Sequence, residues 1–169
     1  MSCHVRPYKA KDREACRALW RELTKTHRDL YDDQSIGGDR DLGDYFDEHL
    51  EKAGADNVWV AESDGSVVGF TSLLRESGAA VGELEPIVVA PEARGSGVGR
   101  ALARQVIAKA RALELRRLDV RPAARNEGAI RFFHELGFDS LGQLELMIYL
   151  QDPKDWPVRE TLAGRKFRS

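Results

Sequence analysis

The sequence predicts a mixed α+β domain, and three observations carry that expectation. Two strand-like runs, Val58-Trp59-Val60-Ala61 and Val67-Val68-Gly69-Phe70, flank Asp64-Gly65. That pair suits a two-residue hairpin turn, because the turn needs positive φ and glycine takes it without strain. Apolar residues return at three- and four-residue steps over Asp12 to Leu30 and over Val98 to Leu113, the period of a helix with one buried face. Strand and helix signals then alternate toward the C-terminus, so a βαβ-like second half follows an antiparallel first half.

In order along the chain, Val5 to Tyr8 reads as a short strand, with Pro7 marking an edge. The first helix carries Ala15, Cys16, Leu19, Trp20, Leu23 and Leu30 on one face; Asp12 is placed to cap it, and Glu14 sits near its positive end. From Asp29 to Glu48 eight acidic residues stand against one basic residue, Arg40. Gly37-Gly38 breaks any helix there, and Leu42, Tyr45, Phe46 and Leu50 begin a second one. After the hairpin a third strand, Ala80 to Val89, follows the turn at Ser77-Gly78. A glycine-rich loop, Pro91 to Gly99, leads into the helix whose apolar positions are Leu102, Val106, Ala110 and Leu113. Leu118 to Val120 reads as a strand, Glu127 to Leu136 as a helix stopped by Gly137, and Leu144 to Leu150 as the last strand. The order is β-α-α-β-β-β-α-β-α-β. Residues 1–150 make one domain, and 151–169 form an extension. Trp156, Val158, Leu162 and Phe167 make that extension too apolar for a disordered tail. It is expected to dock on its own subunit or on a partner in a homodimer.

The 169 residues suffice for a core without staples. Lys and Arg number 26 against 28 Asp and Glu, a net charge of −2, which removes the broad cationic field of a general nucleic-acid binder. Cys3 and Cys16 fall in no metal-binding or disulfide pattern, so no metal site and a cytoplasmic location are expected. No apolar run approaches the length of a membrane span, and the N-terminus has no signal-peptide h-region.

The chemistry concentrates in Glu83-Leu84-Glu85-Pro86-Ile87-Val88-Val89-Ala90-Pro91-Glu92-Ala93-Arg94-Gly95-Ser96-Gly97-Val98-Gly99-Arg100. A strand runs into a loop with glycines at alternate positions, and a helix starts on the last of them. Small residues let backbone close around an anion, and the first N–H groups of the helix point at it. Arg94 and Arg100 flank this phosphate cradle with fixed positive charge. A P-loop would need Gly-Lys-Ser/Thr, but Gly99 is followed by Arg100-Ala101. A dinucleotide fingerprint fails on glycine spacing, although Asp119 mimics its ribose-binding acid.

Arg94-Gly95-Ser96-Gly97-Val98-Gly99 resembles the Q/R-x-x-G-x-G/A signature of the GNAT superfamily, the GCN5-related N-acetyltransferases. The block Asn126-Glu127-Gly128-Ala129-Ile130-Arg131-Phe132-Phe133-His134-Glu135-Leu136-Gly137-Phe138 is similar to that family's N-x-x-A-x-x-F-Y-x-x-x-G-F stretch. The resemblance spans roughly Val5 to Leu150 and implies a central, mostly antiparallel sheet flanked by helices. It implies acetyl-CoA as the acyl donor and no metal. The backbone of Ile87, Val88 and Val89 would pair with the pantetheine arm, with the Val89 N–H polarising the thioester carbonyl as an oxyanion hole does. Pro86 removes a ladder donor and favours a bulge there. The amides from Arg94 through Gly95, Ser96, Gly97, Val98 and Gly99 to Arg100 would take the pyrophosphate, with Asn126 contacting the coenzyme from the second block.

Acetyl transfer needs a neutral amine, and a lysine-like amine of pKa about 10.4 is neutral in roughly one molecule in 2,500 at pH 7. A carboxylate can take the proton as attack proceeds, and Glu85, then Glu83, are the candidates. Phe133 stands where many relatives carry a tyrosine that protonates the departing thiolate, and phenylalanine has no proton to give. His134 and Tyr149 are possible substitutes. In this fold the link between the first two helices forms one lip of the acceptor groove, so the acidic Asp29 to Glu48 segment implies a small cationic amine as acceptor. A protein N-terminus or lysine is the alternative acceptor. A non-catalytic acyl-CoA-binding module is the alternative from another class.

Overall fold

The computed structural model describes residues 3–148, 150 and 155–168. Contacts divide the chain into two compact units, Met1–Arg121 and Pro122–Ser169.

In the first unit, strand β1 (Cys3–Pro7) leads through a 3-10 turn into helix α1 (Arg13–Tyr31), and α2 is Asp44–Ala53. Strands β2 (Val58–Ser63) and β3 (Ser66–Leu74) form the anticipated hairpin, with Asp64 at φ 50° and Gly65 at φ 79°. Strand β4 (Val81–Val89), helix α3 (Val98–Ala112) and strand β5 (Arg117–Asp119) complete the unit. The sheet order is β1-β2-β3-β4-β5; the first three pairings are antiparallel and β4–β5 is parallel. The sheet is thus mixed and mostly antiparallel.

Two helical layers bury its faces. Cys16 and Leu19 of α1 and Phe46 of α2 pack with Val58, Val60, Phe70 and Val88. Val98 and Leu102 of α3 pack with Ala61, and Val5, Ile87 and Val89 lie against that group. Alternate β4 residues therefore serve opposite layers, as a pleated strand requires. Gly69 allows the close approach of both β4 and α3, since a Cβ there would lie 2.7 Å from the Val88 carbonyl of β4 and 3.1 Å from Leu102 of α3. Asp12 does not cap α1. Its carboxylate, only 3% exposed, instead accepts from Arg6 at 2.7 and 2.9 Å and from the Lys9 N–H at 2.9 Å. The half-buried arginine outcompetes the helix end because charge-assisted, two-point bonding is the stronger interaction.

The second unit holds helix α4 (Glu127–Glu135) and a hairpin of β6 (Val158–Leu162) and β7 (Arg165–Arg168). Arg125 stacks on the Trp156 ring at 3.9 Å, and Arg159 pairs with Glu127 at 2.6 Å, so part of the expected extension docks within its own unit. Residues 151–154 lie outside the described residues. The strand expected over Leu144 to Leu150 is not formed among the described residues of that stretch, where Leu144, Leu146, Met147, Ile148 and Leu150 are exposed. An alternating pattern makes a strand only when another strand supplies its hydrogen bonds. Tyr149 lies outside the described residues.

Candidate active site

The site is built on β4 and on the loop that carries it into α3. Parallel pairing with β5 covers only Val81, Gly82 and Glu83, so among the described residues β4 has strand neighbour β3 alone from Leu84 to Val89. The Ala90 N–H donates to Val68 at 2.9 Å on the β3 side. Because backbone groups alternate along a strand, Val88 also faces β3, whereas Ile87 and Val89 turn theirs to the open side. The Val88 side chain is in the core. The Val89 carbonyl accepts from the Arg94 side chain at 3.2 Å, leaving its N–H as the donor on that side.

Opposite Ser72 the ladder slips. Thr71 pairs with Ile87 but Leu73 pairs with Leu84, so Glu85 and Pro86 together oppose one residue. This is the bulge that Pro86 foreshadowed. Ser72 donates its hydroxyl to the Glu85 carbonyl, replacing the lost ladder bond. Glu85 is exposed. Glu83, 17% exposed, is ion-paired with Arg121, whose guanidinium also feels the Glu85 charge. Of the two candidate bases, Glu85 is the one that no ion pair ties to a cation among the described residues, and it sits at the bend.

After β4, a 3-10 turn at Pro91–Ala93 sets up the loop. The Ser96 hydroxyl donates to the Ala93 carbonyl at 2.6 Å and fixes it. Gly95 and Gly97 take φ of 75° and 90°, and a Cβ on either would meet nothing within 4 Å. That void is where only glycine leaves room for a ligand against the backbone. Gly97 is the N-cap of α3 and no side chain caps the helix, so the N–H groups of Val98 and Gly99 have no acceptor inside it. Arg94 is exposed beside the cradle and Arg100 half-buried within the first turn.

In the second unit, Asn126 caps α4, its Oδ1 accepting from the Ala129 N–H at 2.9 Å. Phe133 is buried between Phe132 and Phe138, with ring centroids 5.1 and 5.7 Å away. His134 is exposed.

A family model described as the acetyltransferase (GNAT) family matches residues 15–138, which takes in the loop, α3 and the Asn126 block. The chain belongs to that family. An uncharacterised N-acetyltransferase of Methanocaldococcus jannaschii is 33% identical over 95 residues, 53% of this chain and 42% of that protein. Ribosomal-protein-alanine N-acetyltransferase from Brucella melitensis superposes with a TM-score of 0.65 at 26% identity, over 82% of this chain and 86% of that one. N-acetylglutamate synthase from Neisseria gonorrhoeae, solved with coenzyme A and N-acetyl-glutamate, gives 0.61 at 26% identity, over 81% of this chain and 28% of that one. The chain spans between 24% and 53% of the length of the curated relatives it matches. The GNAT expectation of a mixed, mostly antiparallel sheet flanked by helices therefore holds.

The acidic segment looks different in three dimensions from its composition. Asp41 accepts from Arg21 and Arg17 at 2.8 Å, Asp44 from Arg17 at 2.8 Å, and Asp47 from Arg13 at 2.7 Å and also from Arg17. Glu48 pairs with Arg40 at 2.7 Å. Arg21, with help from the Gly43 N–H, holds the Asp41 carboxyl far below the usual carboxylate range, and Arg13 lowers that of Asp47. At least four of the eight acidic groups, Asp41, Asp44, Asp47 and Glu48, thus answer to arginines, three of which lie on α1. Sequence reading missed those arginines as partners because they lie one helix away.

Proposed function

We propose that this protein transfers an acetyl group from acetyl-CoA to a primary amine. One observation carries the reading: an open strand edge at Ile87 and Val89 runs directly into a glycine-lined, uncapped helix start. The Val98 and Gly99 N–H groups take the pyrophosphate, with Arg94 and Arg100 supplying charge. Ile87 and Val89 hold the pantetheine arm as an added strand, and the Val89 N–H donates to the thioester oxygen. Glu85 accepts the amine proton, directly or through a water, as nitrogen attacks the acyl carbon. Glu83, tied to Arg121, keeps a structural part. Asn126 and Phe133 belong to the coenzyme site on the strength of the family resemblance, and the thiolate leaves without a proton from Phe133. We assign the activity to residues 1–150 with 151–169 as an extension, in a cytoplasmic homodimer.

The paired carboxylates remove most of the support for a cationic acceptor, so the acceptor is drawn more broadly, as a small-molecule or peptide amine. Free-CoA release with a panel of amino acids, polyamines, aminoglycosides and peptide N-termini tests the reading. Release that depends on one class of amine supports it. CoA binding without release under any amine overturns it in favour of an acyl-CoA-binding module.

A further inference from the structure

The bulge in β4 is held from behind by a side chain that no catalytic step uses. His49 of α2 is 6% exposed and its ring lies 5.2 Å from that of Trp20, which stacks on Phe70 at 6.1 Å. Its Nε2 is 2.6 Å from the hydroxyl of Ser72, which is fully buried. Ser72 gives its proton to the Glu85 carbonyl, so its oxygen can only accept from the ring. The network therefore assigns the His49 proton to Nε2. The chain runs from His49 through Ser72 to Glu85 and crosses from α2 through the central strand to the candidate base.

We propose that His49 and Ser72 are positioning residues for acyl transfer: they clamp the Glu85 carbonyl and so fix the bulge that aims the Glu85 carboxylate at the acceptor amine. The inference rests on the reading of Glu85 as the base. Three features favour it over a purely structural bond. The bulge deprives the Glu85 carbonyl of its ladder partner and would otherwise leave it free to swing. The clamp comes from outside β4: Ser72 on β3 makes the bond, and His49 on a helix packed against the sheet holds Ser72. The His49 ring is buried against Trp20, so close packing restrains it where it meets Ser72. Burial drives the ring pKa down to about 4 against the pull of the Glu85 carbonyl, so at pH 7 it is a neutral donor.

The test compares Ser72→Ala, His49→Leu and His49→Gln with Glu85→Gln, all checked for folding by circular dichroism. Losing the clamp should lower kcat by about 10- to 100-fold. The KM for acetyl-CoA should stay within about twofold of the parent, because the glycine cradle is untouched. His49→Gln restores an N–H donor of similar reach and should recover most of the rate. The double variant His49→Leu/Ser72→Ala should be no slower than the worse single one. Full kcat in folded Ser72→Ala, with Glu85→Gln still slow, overturns the clamp and leaves the base in place. Full kcat in Glu85→Gln overturns both. A His49 ring whose 15N shifts report an Nδ1–H tautomer also overturns the clamp, whatever the rates.

Discussion

At the start of α3 the Val98 and Gly99 N–H groups have no carbonyl in the helix to bond and no side chain caps them. Across the face between α1 and α2, by contrast, each of Asp41, Asp44 and Asp47 holds at least one arginine. Both regions looked charged and ligand-seeking in the sequence. The structure separates them by what is already satisfied. A helix end with open donors beside two glycines is poised for an anion, whereas carboxylates met by Arg13, Arg17 and Arg21 present little net field to an incoming cation. Charge counted along a chain measures supply; only the unpaired remainder can recruit a partner.

The largest effect should come from the chemistry at the open edge. Glu85→Gln should lower turnover by about 10²–10⁴ with acetyl-CoA affinity unchanged. A normal rate in a folded variant moves the proton transfer away from Glu85. Next, Gly97→Val should weaken CoA binding by about 10³-fold, since a side chain at the cradle blocks two charge-assisted bonds. No neighbour lies within 4 Å of a Cβ there, so the fold should survive with only the left-handed backbone cost, about 1–2 kcal/mol. Calorimetric titration with CoA reads this directly, and unchanged affinity would remove the cradle from the anion site.

His49, buried under the β4 bulge, makes the stability of the fold depend on pH. Burial holds its folded pKa at about 4, below the ordinary imidazole value of 6.5, so the unfolded chain binds the extra proton in that window. The stabilisation is complete above pH 6.5 and is lost as pH falls toward 4, about 3 kcal/mol in all. Urea unfolding at pH 7 and pH 4 should show that loss in the parent and not in His49→Gln. Equal slopes in the two proteins would place the acid sensitivity elsewhere. The smallest effect concerns the paired face. Arg17→Met should lower the Tm modestly, less so in high salt, and leave CoA affinity unchanged. Because Asp41 is depressed, its pairing adds stability above the carboxylate range, and that stability is lost as pH falls through its lowered folded value. A Tm that salt does not modulate would mean that the ion network is not what joins the loop to α1.

Much of the first unit was legible in the sequence because its signals are local. The Asp64-Gly65 turn needs two adjacent residues at positive φ, and the helices α1 and α3 announce their buried faces within a few residues. Pro86 marked the bulge because a missing N–H is a property of one residue. The capping role expected of Asp12 was misread because its winning partner, Arg6, reaches it from β1 with a geometry that no sequence rule encodes. The strand expected at Leu144 to Leu150 was misread because alternation reports only a preference for a pleated surface.

The sequence by itself determined the types of element, the turn chemistry and the glycine cradle, since each depends on backbone preferences inside a short window. The tertiary structure decided which charges cancel, which carboxylate stays available and what holds the bulge. Arg13 and Asp47 are 34 residues apart, and His49 and Ser72 are 23 apart. Contacts at such separations exist only after α1 and α2 pack on the sheet, and burial then turns those side chains into fixed partners of one another.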